Sequence, residues 1–126
     1  MAEEARQQVL EDAGKPALRA IRGLFANDEV MHVHRLINER VRLGIMSTLA
    51  VNEGTSFSQL RSLLNTSDGN LSVHARKLEE AGLIASVRSQ PQRTEFSLTP
   101  TGRKAFESYL DHMEALIESA RRTHEG

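Results

Sequence analysis

The stretch TSDGNLSVHARKLEEAGLI, residues 66–84, decides the fold. It opens on small and acidic residues and closes on Ala-Gly-Leu-Ile, with apolar residues at helical spacing between. Ser67 or Asp68 suits the N-cap, because a short oxygen-bearing side chain can accept from the free N–H groups of the first turn. Gly82 suits the left-handed position after the last turn, with Leu83 folding back onto the helix. At 3.6 residues per turn, Leu71, Ala75 and Leu78 share one side with His74 at its edge. Gly69, Ser72, Val73, Arg76 and Glu80 fall on the other, flanked by Lys77. The first group anchors the helix, so the second faces away from the core.

That outward set fits a major groove. Gly and Ser let a backbone come close, and Arg or Lys can pair with guanine O6 and N7. Ser and Asn can serve phosphates or base edges, and the N–H groups of a helix start favour phosphate. Arg, Lys and Glu together are also what any solvated helix face carries, so the surrounding elements must decide.

Downstream, 84–88 and 94–98 read as two strands joined by a polar tip, 89–93, a β-hairpin bearing Arg88, Gln90, Gln92 and Arg93. Thr99-Pro100 is an N-cap followed by proline at the first helical position. The helix it opens runs to about residue 121. Upstream, Ser58 is expected to cap a helix with Leu60, Leu63 and Leu64 inward, after a short β-type link at 55–57. Asn65-Thr66-Ser67 is the turn. Before it, Val30, Val33, Ile37, Val41, Ile45 and Leu49 form one apolar stripe, predicting a single helix over 28–51 capped by Asp28. Pro16 starts a shorter helix with Leu18, Ile21, Leu24 and Phe25 at helical spacing, and residues 2–12 are good helix formers without a strong apolar face.

The order is helix, short strand, helix, turn, helix, hairpin, long helix. This predicts a mainly α protein with a small β-hairpin (α+β), a winged helix-turn-helix with an N-terminal helical extension and a long C-terminal helix. The expected division is 1–27 as the extension, 28–99 as the winged helix and 100–126 as a dimerisation helix.

Composition bounds the function. At 126 residues the chain holds one core. It has no Cys, which excludes disulfides, thiol catalysis and Cys-ligated zinc, and no Trp, with four Phe and one Tyr, too few for stacking on single strands. A net charge of −1 does not suit a protein that coats nucleic acid. The bases gather locally instead, with Arg76, Lys77, Arg88 and Arg93 against Glu79 and Glu80 within 69–93. No apolar run is long enough for a bilayer and the acidic N-terminus does not resemble a signal peptide, so a cytoplasmic protein is expected. There is no phosphate loop or nucleophile motif, and Ser72 and His74 are too far apart around a helix to form a dyad, so no enzyme is expected. His32 and His34 likewise point about 200° apart on a helix. No metal or other cofactor is assigned to them, or to His112 and His124.

From Arg35 to about Leu116 the chain resembles the small winged-helix transcriptional regulators of the MarR/ArsR type. INERVRLGIMSTLA (37–50), DGNLSVHARKLEEAGLI (68–84) and FSLTPTGRKAFESYL (96–110) carry the likeness. The second resembles the family's Leu-Ser-x-His-Leu-x-x-Leu-Glu-x-x-Gly recognition helix, with Ala75 in place of a leucine. The third resembles its Leu-Thr-x-x-Gly exit into the last helix. The resemblance implies double-stranded DNA as the partner, bound by a homodimer, with repression the default mode. Ser67, Gly69, Asn70, Ser72, Val73, Arg76 and Lys77 would then lie against DNA, supported by Arg88, Gln90, Gln92 and Arg93 on the wing. The dimer would close on Leu18, Ile21, Phe25, Phe106, Tyr109, Leu110, Met113, Leu116, Ile117 and Ala120, a near-heptad seam. No residue identifies a small-molecule effector. The alternative from another class is a winged helix used for protein–protein assembly, without DNA affinity.

Overall fold

The computed structural model describes residues 2–12 and 14–122, with all of their side chains except those of residues 8–12 and Gln90. His124 lies outside the described residues. The elements run α1 (Ala2–Asp12), α2 (Pro16–Leu24), α3 (Asp28–Ile37), α4 (Arg40–Val51), β1 (Thr55–Ser56), α5 (Phe57–Leu64), α6 (Asp68–Glu80), β2 (Ile84–Gln90), β3 (Arg93–Leu98) and α7 (Pro100–Arg121). The three strands form one antiparallel sheet in the order β1-β3-β2. This is the winged-helix α+β fold expected, and no described helix is long and apolar enough to cross a membrane.

The chain divides into two compact units, residues 33–109 and residues 1–32 with 110–126. In the first, Ile37, Val41, Ile45 and Leu49 are buried beside Leu60, Leu71, Leu78 and Phe96. The first turns of α7 bury Gly102, Phe106 and Tyr109. That part of α7, expected to lie outside the winged-helix body, therefore belongs to it. His34 is buried too, its Nε2 3.1 Å from Ser108 Oγ and its ring edge-on to Tyr109. Burial raises the Tyr109 hydroxyl above its ordinary pKa, and it donates to Asn38 Oδ1 at 3.0 Å. In the second unit, α2 begins on Pro16 as predicted, and Phe25 meets His112 edge-on with ring centroids 5.2 Å apart.

Four local expectations give way. The single helix over 28–51 is broken at Asn38-Glu39. Glu39 adopts an extended backbone and its carboxylate accepts from the Val41 and Arg42 N–H groups, capping a fresh helix. The apolar stripe runs on across the break, which is why periodicity alone did not reveal it. Asn27, rather than Asp28, caps α3, its Oδ1 accepting from Val30 N–H at 3.1 Å. Ser56, rather than Ser58, caps α5, because Gln59 completes a capping box by returning its side chain to the Ser56 N–H. Leu63 is exposed, not inward. Leu64 takes the inner place by covering Gly44, where an added Cβ would lie 2.4 Å from its Cδ2.

Candidate nucleic-acid interface

The turn 65–67 ends α5 and begins α6. Asn65 takes the left-handed conformation (φ 49°), which asparagine tolerates, and so reverses the chain without a glycine. Ser67 then caps α6, its Oγ accepting from the Asn70 N–H at 3.1 Å, while Asn70 Nδ2 donates to Thr66 Oγ1 at 2.8 Å. Arg61 of α5 pairs with Asp68 in the first turn of α6 at 2.8 Å. At the far end the Gly82 N–H reaches the Glu79 carbonyl and the Leu83 N–H reaches that of Leu78, the two bonds of a Schellman motif, with Gly82 at φ 76°. Ser67→Ala should lower stability by about 1 kcal/mol through loss of the cap, read as a lower urea midpoint at unchanged slope.

A second tether holds the middle of the helix. Arg42 of α4 donates from Nε to the Leu36 carbonyl and from Nη1 to His74 Nδ1, the latter at 2.8 Å. Because guanidinium only donates, Nδ1 must be the acceptor, which puts the ring proton on Nε2, 3.4 Å from Glu39 Oε2. One carboxylate thus caps α4 and faces the histidine of α6. The partners of His74 thus lie on α4 and its cap, more than 30 residues away in the chain.

So fixed, α6 buries Leu71, Ala75 and Leu78 and exposes Gly69, Asn70, Ser72, Val73, Arg76, Lys77 and Glu80. The division of faces read from the helical wheel is the one observed. Among the described residues, Arg76, Lys77 and Arg88 have no ion-pair partner, so their charges face solvent uncompensated. Ala75, in place of the family's leucine, borders an open cleft of about 490 Å³ floored by Phe57 and Phe96.

The wing is longer than the sequence suggested. Its strands pair out to Gln90 and Arg93, with an irregularity between Arg88 and Gln90, leaving only Pro91-Gln92 as the tip. Proline followed by a residue of positive φ, here Gln92 at 70°, is the type II turn pattern. Arg88 and Gln92 are exposed. Arg93 is exposed too, with its guanidinium paired with Glu95 at 3.0 Å on its own strand. Sequence reasoning also missed the roles of Arg61, Thr66 and Arg42. Arg61 and Arg42 act by contacts between helices, and Thr66 by a bond from the turn to Asn70 that depends on the geometry of the turn. Among the described residues no cluster of His, Asp and Glu could hold a metal ion.

Residues 41–117 match the family model of the winged helix DNA-binding domain. An uncharacterized protein of Methanocaldococcus jannaschii is 35% identical over 79 residues, 60% of this chain and 86% of that one. The structure of a transcriptional regulator homologue from Pyrococcus horikoshii OT3 superposes with a TM-score of 0.65 at 33% identity, covering 73% of this chain and 93% of its own. A transcriptional regulator of the MarR family from Enterococcus faecalis V583 shares the fold at 18% identity and a TM-score of 0.66, over 81% of this chain and 97% of its own. The chain belongs to the winged helix DNA-binding domain family.

Proposed function

We propose that the chain is a sequence-specific repressor that binds double-stranded DNA as a homodimer, with α6 in the major groove and the wing on the flanking backbone. The observation that carries this is the outer face of α6. Arg76 and Lys77 stand exposed and unpaired among the described residues, preceded by small polar residues, on a helix tied at its start, middle and end. Rigid presentation of a few cations to one groove is what base reading requires, while a net charge of −1 keeps the rest of the molecule from binding duplex indiscriminately.

The dimer reading rests on the second unit, where Leu18, Phe25, Leu110 and Ile117 are exposed. Ile21, Met113 and Leu116 are half-buried beside them in the sequence pattern, and Ala120 is exposed. Phe106 and Tyr109 drop out of the proposed interface, since both are already buried within a single chain. Two copies would offer two recognition helices to a two-fold operator with half-sites about 34 Å apart.

Fluorescence anisotropy of a labelled duplex at several salt concentrations tests the reading. Wild type should bind with an affinity that falls steeply with salt. Lys77→Ala or Arg88→Ala should weaken binding to every sequence and reduce the salt slope by about 1 per site. Unchanged slopes in both variants would turn the reading toward the assembly module, for which the near-neutral charge is the favouring observation.

A further inference from the structure

We propose that α6 reads a thymine in each half-site through an apolar contact between Val73 and the base's 5-methyl group, with Gly69 giving the clearance that lets it seat. This rests on the DNA-binding reading above and specifies what that face recognises. Val73 is a large apolar side chain, 54% exposed, in the middle of an otherwise polar helix face. Its neighbours on that face are Gly69 one turn before and Arg76 and Lys77 one turn after.

The fold does not require a glycine at position 69, and Val73 stands more than half exposed. An added Cβ at Gly69 meets nothing within 4 Å, and its φ is not in the left-handed range. Glycine and valine are also poorer helix formers than the Ala, Lys or Glu that would suit a merely solvated face. Both positions therefore hold poorer helix formers, one with no packing reason for its missing side chain and the other with over half of its apolar surface in solvent. A bare backbone followed four residues later by an apolar knob fits an external surface that approaches closely and carries an apolar group. In the major groove the only such group is the thymine methyl. Arg76, three residues on, lies about 4.5 Å further along the helix, against about 3.4 Å per base, so the thymine should fall within one or two steps of the guanine read by Arg76.

The test uses the full chain and a duplex selected by it from a random pool. Each thymine in turn is replaced by deoxyuridine, which removes the methyl and keeps the pairing edge. One position per half-site should then lose about fourfold in affinity, the equivalent of burying one methyl-sized group at about 0.8 kcal/mol. Val73→Ala should lose affinity for the thymine duplex and no longer distinguish the uracil one, while Arg76→Ala should still distinguish them. Gly69→Ala should raise thermal stability and weaken binding to both duplexes. Uracil tolerated at every position by wild type, or a uracil penalty that persists in Val73→Ala, would overturn the inference while leaving DNA binding intact. Failure to select any duplex would overturn both.

Discussion

Gly102→Ala is expected to destabilise the fold by about 3 kcal/mol or more, lowering Tm by about 10 °C. The first turn of α7 lies directly on the chain leaving α6, and a Cβ at position 102 would sit 1.8 Å from the Leu83 carbonyl oxygen and 2.7 Å from its carbon. That carbonyl cannot retreat. It accepts from the Thr99 N–H at 3.1 Å, and the Thr99 hydroxyl donates to the Gly82 carbonyl at 2.6 Å while accepting from the Gly102 N–H at 2.9 Å. The Leu83 N–H is in turn held by the Schellman cap of α6. Relieving the clash must therefore break either the α7 cap or the α6 cap. Gly23→Ala is the control, since a Cβ there meets nothing within 4 Å and alanine is the better helix former. It should leave Tm unchanged or raised. A Gly102→Ala protein melting with wild type would contradict this account of the Leu-Thr-x-x-Gly exit.

Arg76→Ala should cost tenfold or more in affinity for the selected operator, about 1–3 kcal/mol per half-site, and relax base preference at one position. Arg76 is exposed on α6 with no ion pair among the described residues, so its removal leaves no buried charge behind and should not disturb the fold. The effect should be one of specificity. Affinity for unrelated duplex should fall only by the loss of one cation, as for Lys77→Ala. Base preference measured by competition separates the two variants: relaxed for Arg76→Ala, retained with uniformly weaker binding for Lys77→Ala. Identical profiles would mean that Arg76 serves phosphate instead of a base.

Where the sequence was legible, the reason is that one short-range rule governed. Helical periodicity placed Leu71, Ala75 and Leu78 in the core and the Arg76 face outside. Pro16 marked a helix start because its fixed φ suits the first turn, and Gly82 marked a helix end because glycine takes the left-handed conformation without steric cost. Where two rules competed, the weaker signal was missed. An unbroken apolar stripe hid the Glu39 cap, and Ser56, read as part of a β-type link, caps α5 through the box that Gln59 completes. Long-range partners were not legible at all. The link from Arg42 to His74 and the burial of Phe106 and Tyr109 depend on which elements meet. The pairing of Arg93 with Glu95 is local, but whether two alternate residues on a strand share a bond depends on rotamers that the pattern does not specify.

The central claim is that the exposed face of α6 selects a duplex sequence presented with two-fold symmetry. The most direct measurement is selection by the purified chain from duplex fragments of its own genome, followed by anisotropy titration of the retained fragments at increasing salt. Binding that weakens steeply with salt yet keeps selecting a pseudo-palindromic subset, its half-site centres about 34 Å apart along the duplex, is the predicted result. Retention of no fragment even at low salt, or retention without any sequence preference, would contradict it.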